Sequence, residues 1–541
     1  MQRLLVALAL SSTALLVACG GGSDPGEAEE VSDGQATVRG TTLRIVSGSE
    51  NKGLEPVVEA FARERGVEIE MRYLGSVDMS LELRRGASLD ADAVWPANSL
   101  WIVLGDRDKV VKHEQSIMRS PVVFGVKQRV AERLGWIGTE VRVEDVLNAA
   151  ESGQLRFAMT SATQSNSGAS AYFGFLSAMA GSPEVLDATH LADVDVRSKV
   201  RRLLQAVDRS SGSSGWLKTM FLDRYARFDA MVNYEAMVIE ANQELERRGD
   251  EPLVAIYPVD GMTIADSPLG YVDKGDADKE ALFLALQEYL LSKDVQSRIG
   301  ELGRRTGLIG LGASDPNVFR KSWGIDTERV LSIVPVPAEG VVREALDLYQ
   351  TALRKPSLTA YVLDFSGSMN GDGERQLKDA MATLLDSATA RRFLLQPSAD
   401  DVHLVVPFDG EPRGVWSATG NADQALRQLL DRILDEQAGG GTDIYDATAD
   451  ALLAMRTYED SLGDFFPAII VMSDGKSKNN EESLRRTMDD VSFGYDVPIF
   501  TIAFGKADPR QLEALSEATS GRSFDGKKDL VKAFRSAKGY N

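Results

Sequence analysis

The sequence predicts an α/β protein built in more than one unit, and three observations carry that prediction. Short apolar runs alternate with amphipathic helical stretches from residue 41 to about 325, and again from 356 to 541. Two extended stretches, 120–126 and 253–261, divide the first series into two blocks. The chain, at 541 residues, is also too long for one ordinary core. No internal repeat relates the two series beyond their shared class.

Residues 1–19 precede this pattern. Arg3 gives a positive start, Leu4 to Leu10 is apolar, and Leu16-Val17-Ala18-Cys19 closes the segment ahead of Gly20-Gly21-Gly22-Ser23. The apolar run is too short to span a bilayer permanently and reads as a secretory h-region. Its last four residues resemble a bacterial lipobox, which implies lipidation of Cys19 at the mature N-terminus. Cys19 is the single cysteine of the chain, so an internal disulfide is excluded. Residues 20–40 are rich in Gly, Glu, Asp and Ser and read as a flexible tether. The expectation is an exported, extracytoplasmic protein held to the cell membrane or envelope by acyl chains.

Leu43-Arg44-Ile45-Val46 is the first strand expected, followed by Ser47-Gly48-Ser49 and a helix from about Gly53 to Arg65. Leu54, Val57, Val58 and Phe61 form its apolar stripe. Val67 to Tyr73 is the next strand, and Ala91 to Pro96 another, ending in a loop with Asn98 and Ser99. This alternation implies a parallel sheet with helices on its faces. Beyond the stretch Ser120 to Val126, Leu155 to Met159 is a strand that runs into Thr160-Ser161-Ala162-Thr163-Gln164-Ser165-Asn166-Ser167-Gly168 and a helix. Asp229 to Glu235 reads as a strand-to-helix junction, and Leu253 to Gly261 as the return crossing.

Two α/β blocks joined by two extended crossings resemble the type II periplasmic solute-binding proteins of bacterial transporters, over residues 41–325. The Thr160–Gly168 loop and the Tyr257-Pro258-Val259-Asp260-Gly261 stretch carry that likeness most strongly. The resemblance implies a ligand cleft between lobes, contacted by loops at strand ends. The candidates are Ser47, Ser49, Trp95, Asn98, Thr163, Ser165, Asn166, Ser167, Asn233 and Tyr234. The loop before the helix offers free backbone N–H groups to an anion, while its Ser and Asn side chains equally suit helix caps. Trp95 is either a core aromatic or a stacking platform. Arg304 and Arg305 read as a solvated basic turn, with anion holding as the alternative. A helix from Lys279 to Ser292 and the segment to 325 are expected to complete the first lobe. Residues 326–355, with Pro335, Pro337 and Gly340, read as the connector.

The last unit, 356–541, carries the sharpest signal. Leu358 to Leu363 is a buried strand that stops at Asp364-Phe365-Ser366-Gly367-Ser368, ahead of a helix with Leu377, Met381, Leu384 and Leu385 on one stripe. Open α/β sheets place their ligand sites at such strand ends. Further strands are expected over Val402 to Phe408, Phe466 to Met472 and Val497 to Phe504, with helices over 422–436, 444–457, 481–491, 509–518 and 529–537. Gly439-Gly440-Gly441-Thr442-Asp443 and Ser473-Asp474-Gly475 supply two more oxygen-bearing loops. Asp364, Ser366, Ser368, Thr442 and Asp474 resemble the metal-ion-dependent adhesion site of von Willebrand factor type A (VWA) domains, DxSxS…T…D. That resemblance implies a doubly wound, Rossmann-like VWA domain. In the family the three hydroxyls approach the metal directly or through water, and the two acids act largely through water. Two carboxylates and three hydroxyls select a hard ion, Mg²⁺ first, with Mn²⁺ or Ca²⁺ as alternatives. The family completes the metal with a Glu or Asp of a partner protein, and its last helix can shift with ligand.

Composition and motifs exclude other classes. A formal net charge of −21 argues against nucleic acid and against docking on anionic lipid. The three histidines, His113, His190 and His403, show no metal-ligand spacing. Gly475-Lys476-Ser477 has Ile470 where a phosphate loop needs its first glycine, and no G-x-S-x-G elbow occurs at a strand–turn–helix junction. Enzyme activity is therefore not expected. The function expected is a surface-anchored lipoprotein that binds a protein partner through Mg²⁺, for adhesion, envelope assembly or passing a ligand-dependent signal between its domains. The alternative is a transport-associated solute receptor whose VWA domain only docks it.

Overall fold

A computed structural model describes residues 40–307, 315–329, 331–474, 476–477, 480–505, 507–519, 521–527 and 529–538. The expected signal segment, Cys19 and the tether up to residue 39 lie outside the described residues. The chain opens with β1 (Thr42–Gly48), β2 (Glu68–Leu74), β3 (Ala93–Trp95) and β4 (Val111–Ser116). It continues with β5 (Ser120–Lys127), β6 (Phe157–Thr160), β7 (Val207–Ser211), β8 (Ala230–Tyr234), β9 (Leu253–Ile256) and β10 (Ile264–Ala265), then returns with β11 (Pro268–Val272).

These strands make two sheets, one per lobe. The first has the order β2-β1-β3-β11-β4, and the second β10-β5-β8-β6-β7 with β9 on β5. β1 runs parallel to β2 and β3, whereas the returning β11 is antiparallel to β3 and β4. The first-lobe sheet is therefore mixed, not purely parallel as alternation alone implies. Phe61 from the helix Glu55–Arg65 joins Leu43, Ile45, Leu282, Phe283 and Leu286 in that lobe's core.

The crossings differ from those expected. Ser120 to Val126 and Leu253 to Ile256 are paired strands of the second lobe, in register Phe124↔Ile256. Their apolar runs are buried in the sheet. The Tyr257–Gly261 stretch stays in that lobe too: Val259 N–H donates to Val141 O at 2.9 Å, and Asp260 Oδ1 accepts from Val143 N–H at 3.0 Å. The chain passes between lobes nearer to Met118–Ser120 and Ala265–Ser267, where one sheet's strands end and the other's begin.

The segment after residue 304 also departs from expectation. Helices Ala277–Leu291 and Lys293–Glu301 pack on the first lobe, but Phe319, Trp323 and Ile325 pack with Leu253, Ala255 and Tyr257 of the second. Arg304 and Arg305 are buried, not solvated, because two acids of the helix Glu235–Arg248 meet them. Arg305 grips Glu235 with two hydrogen bonds of 2.8 and 2.6 Å, and Arg304 Nη2 lies 2.5 Å from Glu240. Within the connector, helix Glu339–Leu348 buries Val342, Ala345 and Leu346 in the second lobe's core, and Tyr172 OH donates to Ala345 O at 2.9 Å.

The C-terminal unit adds β12 (Ser357–Asp364), β13 (Val402–Phe408), β14 (Trp416–Thr419), β15 (Phe466–Ser473), β16 (Ile499–Ala503) and β17 (Ser523–Asp525). Their order is β14-β13-β12-β15-β16-β17, parallel except for the edge strand β14. The two-residue period of a strand puts Tyr361 and Leu363 against Leu377 and Met381 on one face, and Leu358, Ala360 and Val362 against Ile444 and Leu452 on the other. Both faces are covered, as in a doubly wound domain.

His403 on β13 is fully buried beside Tyr361, with ring centroids 6.0 Å apart. Burial, with the charge of Lys538 nearby, lowers its pKa from 6.5 to about 3. The folded state holds it neutral while the unfolded chain protonates it, so stability falls as pH drops through that window, by ~1.4 kcal/mol per pH unit. Urea unfolding between about pH 6 and 4 is expected to show a shallower acid loss in His403→Phe than in the parent, by about that slope. Equal slopes would show that this imidazole does not govern acid sensitivity.

Candidate metal centre and solute cleft

β12 and β15 are neighbours, so their C-terminal ends bring Asp364 and Asp474 to the same sheet edge. Asp364 is fully buried, and Ser366 N–H donates to its Oδ1 at 2.8 Å, which folds the DxSxS loop back on its own acid. Ser473 Oγ donates to the other oxygen at 2.6 Å. Ser366 and Ser368 hydroxyls lie 3.0 Å apart, and Ser368 Oγ donates to Asp474 Oδ1 at 2.8 Å. Four of the five predicted side chains thus form one connected set, with Ser368 and Gly367 at the exposed surface.

Thr442, half-buried, sits on the glycine loop, which Gly367 N–H joins by donating to Gly440 O at 3.1 Å. Gly440 has φ +82°, and a Cβ there would lie 2.5 Å from Asp409 Oδ2, so both backbone and space require glycine. The following Asp443 caps the helix Ile444–Met455, its Oδ1 accepting from Tyr445 and Asp446 N–H at 3.2 Å.

Burial pushes the Asp364 carboxyl above its ordinary range; the hydrogen bonds from Ser366 and Ser473 oppose this, and the nearby Asp474 charge adds to it. Two acids crowded at one edge with hydroxyls around them suit a cation, which relieves their repulsion. Among the described residues no three His, Cys, Asp or Glu side chains cluster as a metal site. The predicted set, two acids and three hydroxyls, is a different kind of donor group.

Two supporting side chains were not singled out from sequence. One is Ser473. The other is Arg413, whose Nη2 donates to Asp409 Oδ2 at 2.9 Å and to the carbonyls of Phe365 and Gly439 at 3.4 Å, while Nη1 donates to Glu436 at 2.7 Å. One guanidinium therefore braces the DxSxS loop against the glycine loop. The strand that ends at Phe408 is visible in the sequence, but the reach of Arg413 is not. Arg413→Met is expected to leave the domain folded and weaken divalent-cation binding about tenfold, measured by Mn²⁺ titration. An unchanged affinity would remove Arg413 from the site.

In the first unit, the predicted cleft residues are drawn together but turned on one another. Trp101 Nε1 donates to Asn166 Oδ1 at 2.7 Å, and Asn166 Nδ2 donates to Tyr234 OH at 3.0 Å. Ser165 and Ser167 meet Ser214 at 3.2 and 2.9 Å, and Ser49 Oγ accepts from Gly215 N–H at 2.9 Å. Ser47 Oγ accepts from Asn51, and Asn233 donates to Ser214 O. Trp95 is packed in the first lobe, its indole N–H on Ser267, and Asn98 braces its own loop. Thr163 faces Gln350 at the junction with the second unit. Burial raises Glu50, which lies in the same seam, to about 7, with Arg304 opposing. Glu50 Oε1, Asn51 Oδ1 and Arg304 Nε are enclosed with no hydrogen-bond partner among the described residues.

Residues 43–305 match the family model of bacterial extracellular solute-binding proteins, and residues 360–532 that of the von Willebrand factor type A domain. The chain joins an extracellular solute-binding domain to a type A domain. Domains of the second kind commonly bind a divalent metal ion. No curated protein matches this chain. Among solved structures, the sulfate-binding protein SubI from Mycobacterium tuberculosis H37Rv is 19% identical over 55% of this chain and 93% of its own, with TM-score 0.37. The periplasmic binding protein AfuA from Actinobacillus pleuropneumoniae is 11% identical over 57% and 97%, with TM-score 0.42. A ferric binding protein from Campylobacter jejuni is 14% identical over 57% and 98%, with TM-score 0.40. No helix among the described residues is long and apolar enough to cross a membrane.

Proposed function

We propose that this chain is an exported lipoprotein, anchored at Cys19, whose type A domain captures an acidic side chain of a protein partner through Mg²⁺. The residues that would hold the ion are Asp364, Ser366, Ser368, Thr442 and Asp474. The observation that carries this reading is the linked set Asp364–Ser366–Ser368–Asp474 at an exposed strand edge. When bound, the ion supplies a positive centre under-neutralised by its hydroxyl donors, to which an outside carboxylate is drawn. The chain's own part is to hold the hydroxyls in place, keep Asp364 dry and leave Ser368 open.

Envelope extract passed over the tagged protein and its Asp364→Ala form, each with Mg²⁺ and with EDTA, tests this reading. A partner retained only by the parent with Mg²⁺, and lost when the partner's contacting Glu or Asp is changed to Ala, is the expected result. Equal retention in all four arms would end the adhesion reading.

A second reading, a solute receptor docked by its type A domain, is favoured by the enclosed, unpartnered atoms of Glu50, Asn51 and Arg304 in the interlobe seam. Under it, solute binding survives Asp364→Ala and is lost in Asn166→Ala or Tyr234→Phe.

A further inference from the structure

The last helix, Leu530–Lys538, belongs to the type A domain by its packing: Leu530, Ala533, Phe534 and Ala537 lie in that domain's core with Tyr361 and Leu377. Its other face leaves the domain. Arg535, 5% exposed, sends Nε to Asp78 Oδ1 at 2.5 Å and Nη2 to Thr163 O at 2.6 Å. Asp78 lies on the helix Ser76–Leu83 of the first lobe, whereas Thr163 lies on the second-lobe loop that leads into the helix Asn166–Met179. Gln164 Nε2 completes the contact by donating to Arg535 O at 2.6 Å. Lys532 pairs with Glu82, and Asp529 with Arg85 at 3.3 Å, on the first-lobe side.

A single guanidinium therefore holds both lobes at once, directly over the seam that the solute-cleft residues line. Beneath it the lobes are shut. Val77 N–H donates to Gln164 O at 3.0 Å, and a Cβ on Gly75 would come within 2.2 Å of that same carbonyl oxygen. A cavity in the seam, lined by Glu50, Ala97, Ser120, Tyr234, Ser267 and Arg304, is about 20 Å³. That is room for a water molecule and not for an organic solute.

We infer that the C-terminal helix is a clasp: with Arg535 seated across Asp78 and Thr163, the type A domain helps to hold the solute cleft closed. Lobe closure in this chain then rests on a contact made by the other domain, added to the direct bonds between the lobes, and not on a solute. Seating of the helix and entry of a solute oppose each other, and the opposition is reciprocal. The clasp is built to yield. A cavity of about 220 Å³ lies beside it, with Leu81, Arg85, Phe393 and Val531 among its walls. Arg535 and Lys532, which line it with Asp78 and Glu82, can thus let go while Leu530, Phe534 and Ala537 stay in the type A core. The regulatory consequence rests on the solute-cleft reading; the clasp itself does not.

The test is lobe separation in the full chain. With Cys19→Ser removing the single native cysteine, spin labels are placed at Glu64→Cys on the first lobe and Asn148→Cys on the second, both exposed helical positions. Electron–electron distance measurements are then made on the parent, Arg535→Ala and Asp78→Ala. The last variant cuts the same contact without touching the type A core. A longer-distance population absent or minor in the parent is expected in both variants, its fraction raised about tenfold or more by loss of the charge-assisted bonds. The parental distribution in either variant, with thermal unfolding confirming that it is folded, overturns the clasp. No solute enters the measurement, so a cleft that binds nothing leaves the result readable. Failure of the solute reading would appear separately, as a labelled open form that takes up no sulfate, sugar or amino acid in a screen.

Discussion

Asp401→Ala is expected to destabilise the type A domain by about 3–5 kcal/mol, the cost of leaving a buried partner charge uncompensated. Asp401 sits immediately before β13 with no exposed surface and is the hub where the connector enters the domain. Arg354 Nη1 donates to its Oδ1 at 3.0 Å and Nη2 to its Oδ2 at 2.5 Å; Ser357 N–H, Ser398 N–H and Ser398 Oγ add bonds of 2.8, 3.0 and 2.9 Å. Burial alone would raise this carboxyl, but the charge and hydrogen bonds of Arg354 outweigh it and hold Asp401 far below the usual range. A depressed folded pKa gives stability that is present above the unfolded value and lost as pH falls through the folded one. The penalty of Asp401→Ala should therefore be full near neutral pH and shrink below about pH 4. Urea unfolding of the C-terminal transition at two pH values measures it. The double variant Asp401→Ala/Arg354→Met should recover part of the loss, since it removes the orphaned guanidinium as well. A loss under about 1 kcal/mol near neutrality would place this pair with the weak surface bridges.

Divalent-cation affinity should fall about 100-fold or more in Asp364→Ala. Asp364 both orders the loop, through Ser366 N–H, and supplies half of the acid pair at the strand edge. Asp364→Asn separates the two roles: it keeps an acceptor for that N–H and removes the charge. If charge dominates, Asn and Ala variants lose Mg²⁺ and Mn²⁺ binding alike; if loop order dominates, Asn retains most of it. Mn²⁺ titration followed by electron paramagnetic resonance, with Mg²⁺ competition, reads both. Parental affinity in both variants would refute the assignment of Asp364 to a metal centre.

Much of the second domain was legible from the sequence because its central strands are buried on both faces. Such strands appear as unbroken apolar runs, as in Leu358 to Leu363 and Ile469 to Met472. The oxygen-bearing loops at their ends could be read because each follows such a run directly. Strands that lack that burial stayed hidden. Val111–Ser116 has four exposed residues in a row, Lys112 to Gln115, as a protected sheet edge requires, and its polar residues give no strand period. Val207–Ser211 is buried yet reads as polar, because Arg209 is covered by the other domain, with its Nη1 on Asp496 O at 3.3 Å. The same limit applies to the cleft. Ser165, Asn166, Ser167 and Tyr234 could be placed at strand ends, but the bonds that cross the seam, Trp101 to Asn166 and Gly215 to Ser49, join residues far apart in sequence, which no local pattern encodes. Arg304 and Arg305 looked like a solvated turn only because Glu235 and Glu240 lie far from them in sequence.

The Asp78–Arg535 contact spans 457 residues, and this separation gives the molecule a history. A growing chain lengthens by about 5–20 residues per second, so the helix that bears Asp78 exists for roughly 20–90 s before Arg535 is made. Throughout that interval the first domain can collapse, pair its strands and form its own bonds between lobes, but it lacks the bridge from Arg535. A chain that stops short of Arg535 would lack the bridge altogether. Age and integrity of the polypeptide, as well as ligand, would then decide which form of the first domain a cell contains.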